Sequence, residues 1–285
     1  YGFQTWADIF TPRQLLLALQ IVACTRAAQA TMKSLGYPAE WCEAVAAYLA
    51  ILVNKVTDYN SSLCMWHNSG EYIAHTYTRY ALPMTWDFVE LAAVNNVGGS
   101  YSAQLNWVLL YIEHALDAVR ESRVSILNQS ALDTIPVQID TIITDPPYYD
   151  AIPYADLSDL FYVWLRRTVG DFYPDEFEPQ LTEKGAELVQ QHRTGTRGKE
   201  GQIRYEDGMA QAFLRASEAL VESGYMVVVF ANKQPDAWET LTAALIRAGF
   251  VVTASWPIDT EMQSGVRSKV ASLASSVWLV CRKRP

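Results

Sequence analysis

The second half of the chain alternates apolar segments of strand length with amphipathic helical segments, and this alternation limits the fold more than any other feature. The strand candidates are residues 138–144, 225–230, 250–256 and 276–281. The helix candidates between them are residues 206–222 and 235–247, and they are followed by Gly224 and Gly249, which are typical helix ends. Strands and helices in this order form a mainly parallel sheet with helices on its faces. The pattern therefore predicts an α/β fold of the Rossmann-like type, in which ligands bind at the carboxyl ends of the strands.

The first part of the chain has a different pattern, with apolar residues at the three- and four-residue spacing of amphipathic helices. The helix candidates are residues 12–22, 41–56 and 102–121. A short apolar run at 124–127 predicts one further strand. We therefore divide the chain into a mainly helical region at 1–122, accessory or inserted, and an α/β region at 123–285.

The composition excludes several classes of protein. Half of the residues are apolar (50%), so the chain is not disordered. Its apolar runs, at 15–24 and 44–53, reach only about half of the roughly 20 residues that a bilayer span requires, so we predict no membrane segment. The first four residues contain neither an initiator Met nor the pattern of a signal peptide, and we expect the chain to belong to a longer polypeptide.

The cysteines indicate a reducing compartment. The four residues, Cys24, Cys42, Cys64 and Cys281, are scattered and have no paired spacing. This argues against a disulfide framework and against a four-thiolate zinc site, and it favours the cytoplasm. Cys64 and His67 could supply two metal ligands, but the remaining ligands are missing, so we assign no metal.

Charge is distributed unevenly along the chain. Lys and Arg number 22 against 31 Asp and Glu, which gives a net charge of −9, so nucleic-acid binding would depend on local basic patches. A polar segment at 168–205 is acidic in its first half and basic at 192–199. We expect a mobile insertion there, either a solvated loop or a segment that contacts a nucleic-acid backbone.

The most informative motif directly follows the buried strand candidate at 138–144. It consists of Asp145, Pro146, Pro147 and Tyr148. Two consecutive prolines cannot continue a central strand, because they donate no hydrogen bonds to a neighbouring strand. The chain must therefore turn out at the carboxyl edge of the sheet, where ligands bind.

These residues resemble the Asp-Pro-Pro-Tyr motif of DNA methyltransferases that transfer a methyl group from S-adenosylmethionine to the amino nitrogen of adenine or cytosine. The resemblance implies that the Asp145 carboxylate and the Pro146 carbonyl accept the two hydrogens of the amine. Pro147 would keep the turn rigid, and Tyr148 would stack on a base that has been flipped out of the duplex. The resemblance thus implies that these four residues form the catalytic site.

The resemblance covers nearly the whole chain and is closest to a family of large adenine-specific DNA methylases that carry an associated domain of unknown function. From Asp145 the sequence reads DPPYYDAIPYADLSDLFYVWL. Further similar segments are residues 10–15, 59–64, 81–84, 228–233, 236–241 and 254–258. The family implies S-adenosylmethionine as cofactor and DNA as partner.

The cofactor residues are only partly present. Ser130 stands where the family contacts the cofactor's adenine, although a simple turn explains it equally well, and Asp145 would also contact the cofactor. Thr11 and Pro12 resemble a cofactor-contacting helix start, but they are also typical of an ordinary helix N-cap. The glycine-rich turn of the family is missing, so we expect the missing amino-terminal part of the polypeptide or a companion subunit to supply it.

Five aromatic or basic residues are candidates for contact with the substrate: Tyr148, Tyr149, Tyr154, Lys233 and Trp256. Lys233 follows one strand candidate, and Trp256, which ends another, would form a second wall for the flipped base. A helix dipole or a salt bridge would explain Lys233 equally well, and core packing would explain Trp256.

The sequence therefore predicts a cytoplasmic, site-specific DNA methyltransferase that acts on the amino group of adenine and, as a less favoured target, of cytosine. Two alternatives stay open. One is a methyltransferase acting on an RNA base or another planar amide, and the other is a non-catalytic DNA-recognition or assembly subunit that keeps the fold. Neither the recognition sequence nor the oligomeric state follows from the residues.

Overall fold

A computed structural model describes residues 2–78, 81–95, 97–120, 123–149, 152–189, 199–258 and 276–284. The fold is mixed α/β and forms two compact units. The first unit comprises Tyr1–Ser125 and Tyr154–Lys184, and the second comprises Ile126–Pro153 and Gly185–Pro285. Residues Tyr154–Lys184 thus group with the helical unit, although the sequence pattern put them in the α/β region. The basic half of the predicted insertion, at 192–198, lies outside the described residues.

The first unit is built mainly from helices. Its helices are α1 (Pro12–Ser34), α2 (Ala39–Asp58), α3 (Tyr101–Val119) and α4 (Tyr154–Val169), preceded by a 3₁₀ turn at Trp6–Ile9. Strands β1 (Trp66–His67) and β2 (Tyr72–Ile73) form a short antiparallel pair. The three helices predicted for this region are confirmed as α1, α2 and α3, since apolar spacing is a local signal that needs no distant partner. Phe10, Val53, Leu160 and Trp164 lie in its core.

The second unit is a four-stranded mixed sheet with helices. Its elements are β3 (Ile139–Thr144), α5 (Lys199–Ala219), β4 (Leu220–Phe230), α6 (Pro235–Arg247), β5 (Phe250–Ile258) and β6 (Ser276–Lys283). The strand order is β3-β4-β6-β5, in which β3 and β4 are parallel and β6 runs antiparallel to both of its neighbours. Three strands therefore share one direction, and β6 is inserted between two of them in reverse.

The core of the second unit lies between the sheet and its two helices. Alternate residues of β4, namely Met226, Val228 and Phe230, are fully buried and point to one face. They belong to one cluster with Phe213 of α5 and Leu241 of α6, and the two helices also pack against each other. Because Thr144 of β3 is in register with Val228 of β4, the carboxyl ends of these strands meet at one edge.

Three sequence predictions were wrong in this unit. The strand candidate at 138–144 was expected to be buried, but β3 lies at one end of the described sheet, where it pairs only with β4, and all of its residues are partly or fully exposed. Residues 124–127 form no strand, and Ile126 is 86% exposed, because no described strand lies beside them to pair with. Gly224 does not end a helix but lies inside β4. A Cβ atom at Gly224 would lie 2.8 Å from the carbonyl oxygen of Asp140, so glycine is needed here for the close approach of β3 and β4. The second glycine prediction is confirmed, since Gly249 follows α6 with φ of 81°.

One described helix, α1, is long and apolar enough to cross a membrane, judged by length and composition alone. Polar side chains on this helix contact other parts of the first unit. Arg26 forms an ion pair with Asp171, and the buried Gln29 side chain donates to the carbonyl of Thr168. Both contacts join α1 to the segment at the end of α4 in the same unit.

The four thiols differ in their environment, and this predicts their reactivity. Cys24 is exposed, whereas Cys42, Cys64 and Cys281 are buried. Burial raises the pKa of Cys281 to about 11 and also raises the pKa of Cys64. We expect an aromatic disulfide reagent at pH 8 to label one thiol rapidly in the native protein and all four after denaturation. Rapid labelling of two or more native thiols would contradict this packing.

Candidate active site

Strand β3 brings the Asp145 carboxylate to the carboxyl edge of the sheet. Thr144 is the last residue of β3, and the prolines that follow it cannot donate to β4, so the strand pairing ends there. The Asp145 side chain is exposed, and within the described parts of the chain it forms no hydrogen bond or ion pair. Its oxygens are therefore available as acceptors for a ligand.

The backbone carbonyls of the following turn are held by neighbouring side chains. The Tyr205 hydroxyl donates to the Pro147 carbonyl at 2.7 Å, and the Tyr149 amide donates to the same oxygen at 3.0 Å. The Asn232 side-chain amide donates to the Tyr148 carbonyl at 3.2 Å. Among the described residues no group donates to the Pro146 carbonyl. The turn thus leaves two consecutive acceptors, the Asp145 carboxylate and the Pro146 carbonyl, without a donor among the described residues, while the next two carbonyls are bound.

Tyr149 has a backbone conformation that is rare for a residue with a side chain. Its φ is 59°, in the left-handed region, which costs about 1 kcal/mol or more. Its side chain is buried in the core of the second unit, where its ring packs edge-to-face on Tyr205 with 5.1 Å between centroids. Tyr149, which was predicted to contact the substrate, therefore has its ring buried in the core, where it anchors the turn.

A row of aromatic rings supports Tyr148. The half-buried Tyr148 ring packs edge-to-face on Phe230, with centroids 5.5 Å apart, and Phe230 packs in the same way on Trp238 at 5.0 Å. The Trp238 indole also donates to the Asn232 carbonyl at 2.9 Å. This row links the turn after β3 to the loop after β4 and fixes the position of the Tyr148 ring.

The substrate candidates Lys233 and Trp256 belong to different parts of the sheet, and only one of them is close to β3 in the strand order. Lys233 is exposed and follows β4, the strand next to β3. Trp256 of β5 is 61% exposed and lies at the same level as the start of the turn, because it pairs with Trp278, which pairs with Val229. However, β4 and β6 separate it from β3, a distance of about 14 Å across three strand spacings. The structure therefore does not bring Trp256 to Asp145.

Other predicted residues have local structural partners. The Thr11 hydroxyl accepts from the Gln14 amide at 3.3 Å and donates to Glu90 at 3.2 Å, so Thr11 caps α1 and Pro12 is its first residue. Tyr154 is the first residue of α4. Thr11, Pro12 and Tyr154 all belong to the first unit.

Ser130 belongs to the second unit, where it is exposed within a turn. Its hydroxyl accepts from the Leu132 amide at 3.2 Å, and its own amide donates to Asp133 at 3.1 Å. The hydroxyl hydrogen of Ser130 thus remains able to donate to a ligand.

Sequence reasoning missed the residues that hold the turn. Tyr205 lies in α5, 57 positions after Tyr148, and no local motif marks it. Asn232 is the second residue after β4, and a polar residue just beyond a buried strand is a signal for a site residue, but only its neighbour Lys233 was predicted in that role.

No protein-family model matches this chain, and no curated protein matches it.

Proposed function

We propose that this protein methylates the exocyclic amino group of adenine in DNA, with S-adenosylmethionine as the methyl donor. One observation carries the proposal: the Asp145 carboxylate and the Pro146 carbonyl belong to consecutive residues at the carboxyl edge of the sheet, and neither is engaged in a hydrogen bond among the described residues. The Tyr148 ring of the same turn is half-buried and packs edge-to-face on Phe230.

Two adjacent acceptors suit the chemistry of an aromatic amine. The lone pair of such a nitrogen is delocalised into the ring, which makes it a poor nucleophile. When Asp145 and Pro146 each accept one amine hydrogen, the nitrogen is drawn towards a tetrahedral form and its lone pair becomes available. Because the turn is held in place before the base arrives, little reorganisation is needed at the moment of reaction. After transfer the nitrogen loses one proton to water or to the carboxylate.

The strand arrangement of the second unit supports binding of a ligand beside Asp145. A Rossmann-like sheet binds its ligands outside the carboxyl ends of parallel strands, and β3 and β4 are parallel strands whose carboxyl ends meet beside Asp145. We assign the described sheet to this fold type as part of the proposal.

The described residues do not form a complete cofactor site. The residues that follow β3 and β4 are Asp145 and Ala231, and neither strand leads into the glycine-rich turn that lets a backbone approach a cofactor closely. The Thr11 hydroxyl is already engaged by Gln14 and Glu90. The role of the described residues is therefore to hold the amine of the base.

The test is transfer of a labelled methyl group from S-adenosylmethionine to duplex DNA by the protein as the cell produces it. The products are identified by mass spectrometry of the digested nucleosides, with single-stranded RNA as a parallel substrate. N6-methyladenine from DNA supports the proposal. A labelled cytosine or RNA base would overturn the assignment of the target, and no transfer to any nucleic acid would overturn the proposed function.

The Tyr148 ring is predicted to hold the flipped base. Tyr148→Ala should weaken binding of DNA that contains an unpaired target adenine by about tenfold to a hundredfold, because base–aromatic stacking contributes about 1–3 kcal/mol. Tyr148→Phe keeps the ring and should bind almost as well as the wild type. Fluorescence anisotropy with labelled DNA measures both. Equal affinity of Tyr148→Ala and Tyr148→Phe would contradict a stacking role.

A further inference from the structure

We infer that Tyr205 and Asn232 are positioning residues, which hold the turn after β3 so that the Asp145 carboxylate and the Pro146 carbonyl face the amine together. This inference rests on the proposed function and adds to it two residues outside the motif. The two side chains bind consecutive carbonyls, those of Pro147 and Tyr148, and they come from different elements, α5 and the loop after β4. A turn held at two consecutive peptide units has little freedom to rotate the carbonyl that precedes them.

Tyr205 is itself fixed firmly enough for this role. It is 1% exposed, and its neighbours in α5 are tied to α6 on both sides along the chain. The Gln202 side chain donates to the Thr240 hydroxyl at 3.2 Å, and Glu206 forms an ion pair with Arg247 at 3.0 Å. Asp207 forms a second ion pair with Arg247 at 2.8 Å. The phenol oxygen that bonds Pro147 therefore sits on a helix segment whose position is set by α6.

Asn232 is fixed in a similar way. Its side-chain oxygen accepts from the Gln234 amide at 2.9 Å, which leaves the side-chain nitrogen pointing to Tyr148. Its backbone carbonyl accepts from the Trp238 indole at 2.9 Å. The donor to Tyr148 is thus oriented by two further hydrogen bonds, as expected of a residue that supports a site without contacting the substrate.

The strained conformation of Tyr149 is consistent with this restraint. A φ of 59° persists only where the surroundings over-determine the backbone. The Tyr149 amide and the Tyr205 hydroxyl donate to the same oxygen of Pro147, and the two rings pack on each other. Removal of the Tyr205 hydroxyl should therefore loosen Tyr149 and, with it, the two acceptors.

Tyr205→Phe removes one oxygen atom and keeps the buried ring, so the variant should fold. We expect kcat for methyl transfer to fall by about tenfold or more, since small misplacements of reacting groups are costly, while KM for DNA stays unchanged. Tyr225→Phe is the matched control, because Tyr225 lies in β4 of the same unit and is 39% exposed. This control should keep the wild-type kcat. Asn232→Asp, which places an oxygen against the Tyr148 carbonyl, should lower kcat in the same way as Tyr205→Phe.

A second measurement does not depend on catalysis. Hydrogen exchange of the Tyr149 amide, followed by NMR, should be at least about tenfold faster in Tyr205→Phe than in the wild type and unchanged in Tyr225→Phe. An unchanged kcat in Tyr205→Phe, a loss that appears only in KM, or unchanged exchange at Tyr149 would each overturn the inference. A wild type that transfers no methyl group would instead overturn the proposed function, so the two failures are seen in different comparisons.

Discussion

Replacement of Asp145 by asparagine is expected to lower the rate of methyl transfer by about a thousandfold, the upper range for loss of one preorganised polar contact to a reacting group. Asparagine has nearly the same shape as aspartate but presents only one acceptor oxygen, and its amide hydrogens repel those of the amine. The Asp145 side chain is exposed and forms no hydrogen bond or ion pair with the other described residues, so the substitution should not alter folding. Single-turnover transfer of a labelled methyl group measures the chemical step directly.

The matched control is Asp140→Asn. Asp140 is also exposed, lies in the same strand and differs from Asp145 in that its side chain precedes the carboxyl edge. The control removes the same charge at a distance from the turn and should keep the wild-type rate. If both variants lose activity equally, the loss does not depend on the position of the carboxylate at the turn, and the assignment of Asp145 to the amine is wrong. If neither loses activity, the assignment of Asp145 to the amine is wrong.

Truncation of Phe230 to alanine is expected to destabilise the protein by about 4 kcal/mol, the usual cost of removing a large buried aromatic ring. Phe230 is fully buried at the end of β4, and its ring contacts both Tyr148 and Trp238. The substitution leaves a cavity beneath the turn as well as in the core. Urea unfolding followed by circular dichroism gives the change in the free energy of unfolding.

Ile246→Ala serves as the control for this stability measurement. Ile246 lies in α6 of the same unit and is 50% exposed, so its truncation should change the free energy of unfolding by no more than about 0.5 kcal/mol. A Phe230→Ala variant as stable as Ile246→Ala would show that the aromatic row is not packed as described.

Local signals predicted most elements of the second unit. Helix α6 has the predicted bounds, and β5 begins at the predicted Phe250. A glycine at the helix end and an apolar run after it are local signals, which can be recognised without knowing the neighbouring strand. The direction of β6 and the role of Gly224 were not predictable in this way. Both depend on which strand lies alongside, which is a property of the folded sheet.

The candidate site likewise contains residues that local sequence signals predict and residues that they do not. Asp145 could be placed at the sheet edge from sequence because two prolines must end a strand. The role of Tyr205 could not be predicted, because its hydrogen bond to Pro147 joins residues 58 positions apart and neither segment contains a motif that indicates it. Trp256 is the converse case, a residue predicted from sequence that lies far from Asp145 in the sheet. It lies two residues before the end of β5, at Ile258, and not at the strand end as predicted. Strand β5 is also separated from β3 by two others, and strand order cannot be derived from spacing along the chain.

The most direct measurement is a crystal structure of the protein as the cell produces it, bound to DNA with a flipped target adenine and a non-reactive cofactor analogue. The account predicts that the adenine amino nitrogen lies within about 3.2 Å of both a carboxylate oxygen of Asp145 and the carbonyl oxygen of Pro146. An adenine bound elsewhere, or an amino nitrogen that contacts only one of these two oxygens, would contradict it.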